Sequence, residues 1–308
     1  MPYRRSRALG LLLGYALDRA VGDPRRGHPV AGFGAVAGRL EPITYHDSRL
    51  RGVAHVIVLV GAAAGAGRAA EARFPGTAVV ALCTWTVLGG RSLEREATAV
   101  HDHLASRDLP AARRQVGRLV GRATQDLDAD EVARAAVESV AENTSDAVVA
   151  PLVWGALLGP AGLMGYRAAN TLDAMVGHHN PRYERFGWAA ARTDDLLNLP
   201  GSRLTGLLVL AADPSRARAA WTSWRRDAAA HPSPNGGVVE SAFAGSLGIR
   251  LGGTNTYDVD RVEHRAVMGD GRPAQAQDIA AATRLAGRVG LGAVLVCAVV
   301  AGTRGSRR

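Results

Sequence analysis

The most constraining feature of the chain is the stretch Ala147–Tyr166, which carries no charged side chain. Its length is close to the roughly 20 residues that a helix needs to cross a bilayer. Pro151 and Pro160 lie within it. Because proline lacks the backbone N–H that a helix interior uses, we expect the helix to be broken, kinked or re-entrant at these positions.

Further apolar runs are also candidates for entering a bilayer, and most are shorter than the roughly 20 residues of a spanning helix. From hydropathy alone, buried helices of a soluble all-α protein are therefore an equal alternative. No segment sustains the alternating pattern of a strand, so we expect an all-α fold. The runs are Ala8–Leu17, Val53–Gly67, Gly76–Gly90, Val289–Thr303 and, more weakly, Leu204–Ala212.

The region at about 92–146 is polar and has a helical pattern. Asp126, Asp128 and Asp130 mark a helix start, since acidic and capping side chains favour the first turn. We interpret the region as a polar helical insertion in a single domain that spans residues 1–308.

The net charge is +9, and all 37 basic residues are arginine. The lack of lysine excludes a P-loop lysine on a nucleotide phosphate and a Schiff-base lysine. No arginine cluster is interleaved with stacking aromatic residues, so we expect no nucleic-acid partner. An anionic substrate or an anionic membrane surface suits this charge better.

Three acidic residues, Glu138, Glu142 and Asp146, recur at every fourth position just before the charge-free run. On an α-helix they would share one face. Like charges at this spacing repel by a few tenths of a kcal/mol, so helix stability does not explain them. A divalent cation such as Mg²⁺ would explain these three acidic residues, because it prefers oxygen ligands. A solvated acidic face is the alternative, and the adjoining apolar run favours function.

A second polar stripe is formed by Tyr166, Asn170 and Asp173, which share a helix face. Contact with substrate or metal is one interpretation, and a hydrogen-bond network between helices is the other. The neighbouring Arg167 could pair with an acidic group or a phosphate.

Two later segments complete the set of candidate sites. Arg192 and Asp195 are three positions apart, and Asp194 and Asp195 point in different directions on a helix, so at most one of these carboxylates joins a given site. The segment His231–Gly237 is a proline- and glycine-rich loop that precedes Glu240. Its glycines allow close backbone approach to a ligand.

Taken together, these segments resemble the adenosylcobinamide-phosphate synthase family, known as CobD/CbiB. The resemblance covers nearly the whole chain, and the order and spacing of the segments make it specific. In chain order the matching segments are Leu17-Asp18, Gly22-Asp23-Pro24, His28-Pro29-Val30, Val137–Asp146, Val148–Pro151, Asn170–Gly177, Phe186–Asn198, Pro234-Asn235-Gly236 and Arg250–Gly253.

The resemblance implies a polytopic helical protein of the cell membrane with a polar helical cytoplasmic portion. It implies ATP-dependent amide formation between a propionate of adenosylcobyric acid and aminopropanol or its O-phosphate, which gives adenosylcobinamide or its phosphate. ATP and Mg²⁺ are the implied cofactors. The lipid bilayer and other membrane enzymes of late cobalamin synthesis are the expected partners.

From the chemistry that these side chains can support, we assign catalytic roles to Glu142, Asp146 and Asp173, with Glu142 and Asp146 also proposed to bind Mg²⁺ or the amine. Arginine side chains would clamp phosphate or carboxylate groups. The residues assigned to substrate binding are Glu138, Asn143, Arg167, Asn170, Arg192, Asp195 and Asn235.

The chain departs from the family pattern at three positions. Ala123 stands where the family usually has Asp, Ala147 where it has Gly, and Arg167 where it has Lys. Ala123 removes a candidate ligand, whereas Arg167 keeps the positive charge. A membrane sensor or regulator resembling AmpE is the main alternative function, and a transporter is the second.

Overall fold

The computed structural model describes residues 2–24, 27–178, 180–258 and 261–303, without the side chains of residues 2–4, 255–258 and 261–264. This part of the chain is nearly all α-helical, as the sequence predicts. The α-helices are α1 (Pro2–Val21), α2 (Pro29–Thr44), α3 (Arg49–Arg73), α4 (Gly76–Val87), α5 (Gly90–Ala105), α6 (Leu109–Val116), α7 (Ala129–Thr144), α8 (Ala150–Leu158), α9 (Pro160–Val176), α10 (Trp188–Ala212), α11 (Ala217–Asp227), α12 (Gly236–Leu247) and α13 (Ala276–Thr303).

The chain forms two compact units, and the first comprises residues 1–89, 146–201 and 293–308. Helix α1 packs on α4, and α3 packs on α9. A Cβ atom at Gly10 would lie 2.6 Å from Cβ of Val80, so glycine lets α1 and α4 approach closely. One buried apolar cluster of this unit consists of Ala37, Val56, Leu59, Leu172, Val176, Phe186, Ala189 and Ala190.

The second unit comprises residues 90–145 and 202–292. It contains α5, α6, α7, α11 and α12 together with a small sheet. Helix α7 packs against α5 and α12, and α12 packs against α11. Residues 90–145 therefore fold together with a later part of the chain. That residues 1–308 form a single domain stays a prediction.

The charge-free run is interrupted where its prolines predict. A π-helical turn occupies Ser145–Val149, and α8 begins at Ala150, directly before Pro151. Helix α8 ends at Leu158, Gly159 adopts φ +66°, and α9 begins at Pro160. The predicted break is confirmed, and neither resulting helix reaches the length of a bilayer span.

Two helices in the described part of the chain, α3 and α13, are long and apolar enough to cross a membrane by length and composition. They contain the predicted runs Val53–Gly67 and Val289–Thr303. The run that begins at Gly76 forms α4, which has only 12 residues. The structure thus supplies two candidate spans where the family resemblance implies several helices.

The expectation of no strands is wrong for residues 249–273. Strands β1 (Ile249–Asp258) and β2 (Arg261–Met268) pair antiparallel, and β3 (Arg272–Pro273) pairs parallel with β1. Gly252 and Gly253 adopt φ values of +81° and +95° at an irregularity in the β1–β2 register. These glycines interrupt the alternating pattern, which is why the sequence gives no strand signal.

Candidate functional site

Helix α7 presents the first acidic residues of the candidate site. It begins with a capping box between Asp128 and Glu131, which confirms the helix start predicted from the aspartates. Glu138 and Glu142 lie one turn apart on α7, in the second unit. The α-helix ends at Thr144 and a π-helical turn follows, so Asp146 lies beyond α7 and belongs to the first unit. The predicted alignment of Asp146 with Glu138 and Glu142 stays a prediction.

Three side chains of the second unit form what we call the carboxylate–histidine cluster: Glu142, His231 and Glu240. One ligand-type atom of each lies within 4.8 Å of the others. Nε2 of His231 is 3.3 Å from Oε1 of Glu240. Glu142 comes from α7 and Glu240 from α12, whereas His231 lies between α11 and α12. The cluster therefore joins segments that are far apart in sequence.

The glycines at the start of α12 make room for the cluster. A Cβ atom at Gly236 would lie 2.9 Å from Cε1 of His231 and 3.2 Å from Oε1 of Glu142. A Cβ atom at Gly237 would lie 2.3 Å from the carbonyl oxygen of Ala228. In the structure these glycines bring α12 against Glu142 and His231 of the protein itself, and the predicted approach to a ligand stays a prediction.

Burial sets the electrostatics of the cluster. Burial raises the pKa of Glu142, and the charge of Glu240 raises it further. Burial likewise raises the pKa of Glu240 and lowers that of His231. Nη1 of Arg265 lies 3.5 Å from Nε2 of His231, and its charge opposes the rise at both carboxyl groups.

Glu138 is buried and both of its carboxylate oxygens have protein partners. Arg122 donates to Oε2 at 2.7 Å, and the backbone N–H of Gly252 donates to Oε1 at 2.8 Å. Arg134 lies 3.7 Å from Oε1 and also donates to the carbonyl of Gly252. Glu138 thus ties α7 to β1. Its predicted substrate contact stays a prediction.

A second polar cluster lies in the first unit. Tyr166 donates from its hydroxyl to Oδ1 of Asn198 at 2.9 Å. The amides of Asn170 and Asn198 each donate to one oxygen of Asp194, both at 3.2 Å. Asp194 is buried. A hydrogen-bond network between helices was one of the two interpretations that the sequence allowed for Tyr166 and Asn170. Such a network is present, and it includes Asp194 rather than Asp195.

Asp173 and Asn235 occupy tightly packed positions. A Cβ atom at Gly177 would lie 1.9 Å from Oδ1 of Asp173, so glycine is needed beside this carboxylate. Oδ1 of Asn235 accepts hydrogen bonds from Ser202 at 2.8 Å and from Arg203 at 2.7 Å. Asn235 therefore fixes the loop that precedes α12.

The remaining predicted residues have local partners. Asn143 donates to the carbonyl of Ser139 at 2.9 Å. Arg192 is exposed and lies 3.4 Å from Asp195, as expected of an ordinary surface pair. Whether these residues contact a substrate stays a prediction.

Arg167 lines a mostly apolar groove of about 370 Å³ in the first unit. Pro29 and Thr171, from two of the segments that carry the family resemblance, line the same groove. Arg167 also donates to Oδ1 of Asn170 at 3.3 Å. The groove thus gathers residues from α2 and α9 around one guanidinium group.

Sequence reasoning did not select His231, Glu240 or Asp194 as site residues. His231 and Glu240 lie in or near the proline- and glycine-rich loop. The sequence indicates a site at this loop, but not which of its side chains take part. No spacing in the sequence shows that they meet Glu142, since that contact depends on how α7 and α12 pack.

Comparison with known proteins gives a consistent result. Residues 11–286 match the family described as CobD/Cbib protein. The chain is 48% identical over 303 residues to a cobalamin biosynthesis protein CobD from Mycobacterium tuberculosis, with 96% of each chain covered. It is 42% identical over 307 residues to one from Rhodobacter capsulatus, with 94% of this chain and 96% of the relative covered.

No solved structure matches this chain. The sequence relatives nevertheless span the candidate residues of both units. The match over residues 11–286 and the coverage of the relatives show that the chain belongs to the CobD/CbiB family of cobalamin biosynthesis proteins.

Proposed function

We propose that this chain forms the amide bond that joins aminopropanol or its O-phosphate to a propionate of adenosylcobyric acid. The observation that carries the proposal is the family match over residues 11–286, together with relatives named as cobalamin biosynthesis proteins over nearly their full length. The buried acidic clusters described above support an enzyme rather than a purely regulatory protein, since such groups are costly to bury without a role.

The reaction requires activation because a carboxylate is a poor acyl donor. Transfer of the γ-phosphoryl group of ATP to the propionate would give an acyl phosphate and ADP. The neutral amine would then attack the acyl carbon, and phosphate would leave. A base must remove the proton that the amine nitrogen carries.

Mg²⁺, when bound, would neutralise phosphate charge during this transfer. Glu142 and Asp146 are the proposed ligands, and carboxylate oxygens are the donors that Mg²⁺ prefers. Burial raises the pKa of Glu142, which also suits a group that accepts a proton from the amine. The structure gives Glu142 two further neighbours, His231 and Glu240.

In the first unit, we assign substrate positioning to Asn170 and Asp173 and anion binding to Arg167. Arg167 lines the groove of about 370 Å³, where its guanidinium group would pair with a phosphate or carboxylate. The walls of the groove are mostly apolar. Arg192 and Asp195 lie at the surface and are the less favoured part of the assignment.

We also propose that the first unit is embedded in the cell membrane by several helices. Many of its large apolar side chains are exposed, including Leu9 and Leu13 of α1, Ile57 of α3 and Val299 of α13. Only 22% of the most apolar window of α3 is buried inside the protein, unlike the core helix of a soluble fold. Lipid would cover these side chains.

Complementation tests the proposed reaction. The full chain would be expressed in a strain that lacks its own synthase, supplied with cobyric acid, and assayed for cobinamide or cobalamin by mass spectrometry. We expect product from the wild type and none from Glu142→Gln or Asp173→Asn. Asp102→Asn is the matched control, because Asp102 is an exposed acidic residue of α5.

Immunoblots of the membrane fraction would show that each variant is present. Absence of product from wild-type protein in the membrane would instead favour the regulatory alternative and make Ala123→Asp the next variant. Normal synthesis by both Glu142→Gln and Asp173→Asn would contradict the site assignment.

A further inference from the structure

We propose that Glu142, His231 and Glu240 bind a divalent transition-metal ion. The ion would belong to the Mn²⁺–Zn²⁺ series and would be held by one imidazole nitrogen and two carboxylates. The inference does not depend on the proposed ligase reaction, and it differs from a Mg²⁺ site at Glu142 and Asp146 in its histidine ligand.

The first observation is the convergence of three ligand-type atoms within 4.8 Å of one another. The His231–Glu240 separation of 3.3 Å is close to that between tetrahedral ligands at about 2.0–2.1 Å from a metal, which is about 3.3 Å. The three groups come from separate segments, so their approach is a product of the fold rather than of helix spacing.

The second observation is the state of Glu240. Its side chain has no solvent exposure, and within the described residues no group outside the cluster donates a hydrogen bond to either carboxylate oxygen. Its hydrogen-bond partner is the carboxyl group of Glu142, and two carboxyl groups can share a hydrogen bond only if one carries a proton. A metal ion bound between them would take the place of that proton and offset the buried charge.

The surroundings of His231 also suit a metal ligand. The backbone N–H of Ser233 is 3.0 Å from Nδ1, and the carbonyl oxygen of Ser233 is 3.2 Å from the same atom. In the structure the N–H of Ser233 donates to Nδ1, so metal binding at Nε2 requires the proton to move to Nδ1, where the Ser233 carbonyl would accept it. Metal-binding histidines usually have such a backbone acceptor for their other nitrogen.

The donor set decides the class of metal. Mg²⁺ and Ca²⁺ take oxygen ligands almost exclusively, whereas an imidazole nitrogen favours the later first-row ions. Three protein ligands leave at least one position open, as in catalytic zinc sites. An oxygen of a carboxylate or phosphate would occupy that position.

Arg265 is the competing cation, because Nη1 lies 3.5 Å from Nε2 of His231. Arg122 and Arg134 both direct their guanidinium groups at Glu138. A metal ion at the cluster would displace Arg265 from Nε2 and take its place beside the two carboxyl groups.

The test uses the purified full chain in detergent, stripped with chelator and titrated with Co²⁺ and separately with Mg²⁺. Absorption of bound Co²⁺ reports its coordination geometry, a change of that absorption in His231→Gln reports coordination by His231, and calorimetry gives stoichiometry and affinity. We expect one Co²⁺ per chain, with affinity reduced about tenfold to hundredfold or more in His231→Gln and Glu240→Gln. His101→Gln is the control, because His101 contacts the carbonyl of Ala276 instead.

Melting temperatures of the metal-free proteins separate misfolding from ligand loss. We expect metal-free Glu240→Gln to be at least as stable as the wild type, since it removes a buried charge, and to gain no stability from Co²⁺. A wild type that binds no Co²⁺, or binding unchanged in both variants, would refute the proposal. Binding lost only in Asp146→Asn would assign the metal to the Glu142–Asp146 pair instead.

The remaining outcome is that Glu240 and Arg265 form a purely structural ion pair. It would appear as no metal binding together with strong destabilisation of both Glu240→Gln and Arg265→Gln. That result would overturn the metal site and leave Arg265 as the permanent counter-ion of the cluster.

Discussion

At the scale of single residues, the glycine at position 236 controls whether the carboxylate–histidine cluster can assemble. The sequence identifies the loop as a place of close approach, and the structure shows that the approaching groups are Glu142 and His231. Sequence patterns predict at which positions the residue must be small. They do not predict which side chains fill the space, because that depends on the packing of distant helices.

Replacing Gly236 by alanine tests this packing. The added Cβ would lie 2.9 Å from Cε1 of His231, closer than side chains normally tolerate. We expect a lower melting temperature, with a loss of about 1–3 kcal/mol in stability, as for overpacked cores. Gly121→Ala is the control because nothing lies within 4 Å of its Cβ position, and an equal loss in both variants would contradict the explanation.

Asp227 gives a prediction for pH dependence. Arg226 donates to both of its oxygens and the N–H of Gly269 donates to one, and the hydrogen bonds from Arg226 are the main reason that the pKa of Asp227 lies below 3.8. A depressed pKa means that its stabilising effect is complete above about pH 3.8 and is lost as the pH falls through the folded-state value.

We therefore expect Asp227→Asn to lower stability at pH 7 by about 1.5–3 kcal/mol, the range for hydrogen bonds to charged groups. The deficit should shrink below pH 4, as measured by thermal melting across pH. The exposed Oδ2 of Asp270 lies 2.6 Å from Nη1 of the same arginine. Asp270→Asn should therefore lower stability much less than Asp227→Asn. A deficit in Asp227→Asn that persists unchanged at low pH would contradict the role of its charge.

At the scale of elements, helix periodicity and capping are sufficient to predict α7, and two prolines are sufficient to predict the break before α9. The β1–β2 hairpin could not be predicted in the same way. Strand β1 contains two glycines at positive φ, and it is held to α7 by Glu138 through a contact between distant segments. Such a contact leaves no periodic signal.

Glu138→Gln tests this connection between α7 and β1. The variant keeps the side-chain shape but leaves buried Arg122 without the carboxylate that lies 2.7 Å from it. Breaking a buried ion pair from one side costs about 3–5 kcal/mol, so we expect a large drop in melting temperature. Glu94→Gln, which breaks a partly exposed pair with Arg91, should change stability by about 1 kcal/mol or less.

At the scale of the whole molecule, the sequence predicts helical content and the family, but not the division into two units. Residues 90–145, which nearly coincide with the polar region at about 92–146, join residues 202–292, and no composition shift marks residues 202–292 as their partner. The exposed apolar side chains follow the same division, since most of them belong to the first unit. This asymmetry is the basis for placing the first unit in the membrane.

A charged substitution in α3 tests that placement. Ile57 and Val58 are 65% and 64% exposed, and both lie in one of the two candidate spans. Arginine at the centre of a membrane helix costs about 2.5–3.5 kcal/mol on insertion scales. We expect Ile57→Arg to reduce the fraction of chain that stays in membranes after carbonate extraction.

Val267→Arg is the matched control, because Val267 is 55% exposed and belongs to the second unit. If α3 lies in lipid, Ile57→Arg should impair membrane retention while Val267→Arg leaves it unchanged. If α3 instead faces water, arginine at position 57 should improve solubility without a loss of retention, because it replaces an exposed apolar side chain by a charged one. The two outcomes have opposite directions, so this pair of variants decides whether lipid or water covers the apolar surface of the first unit.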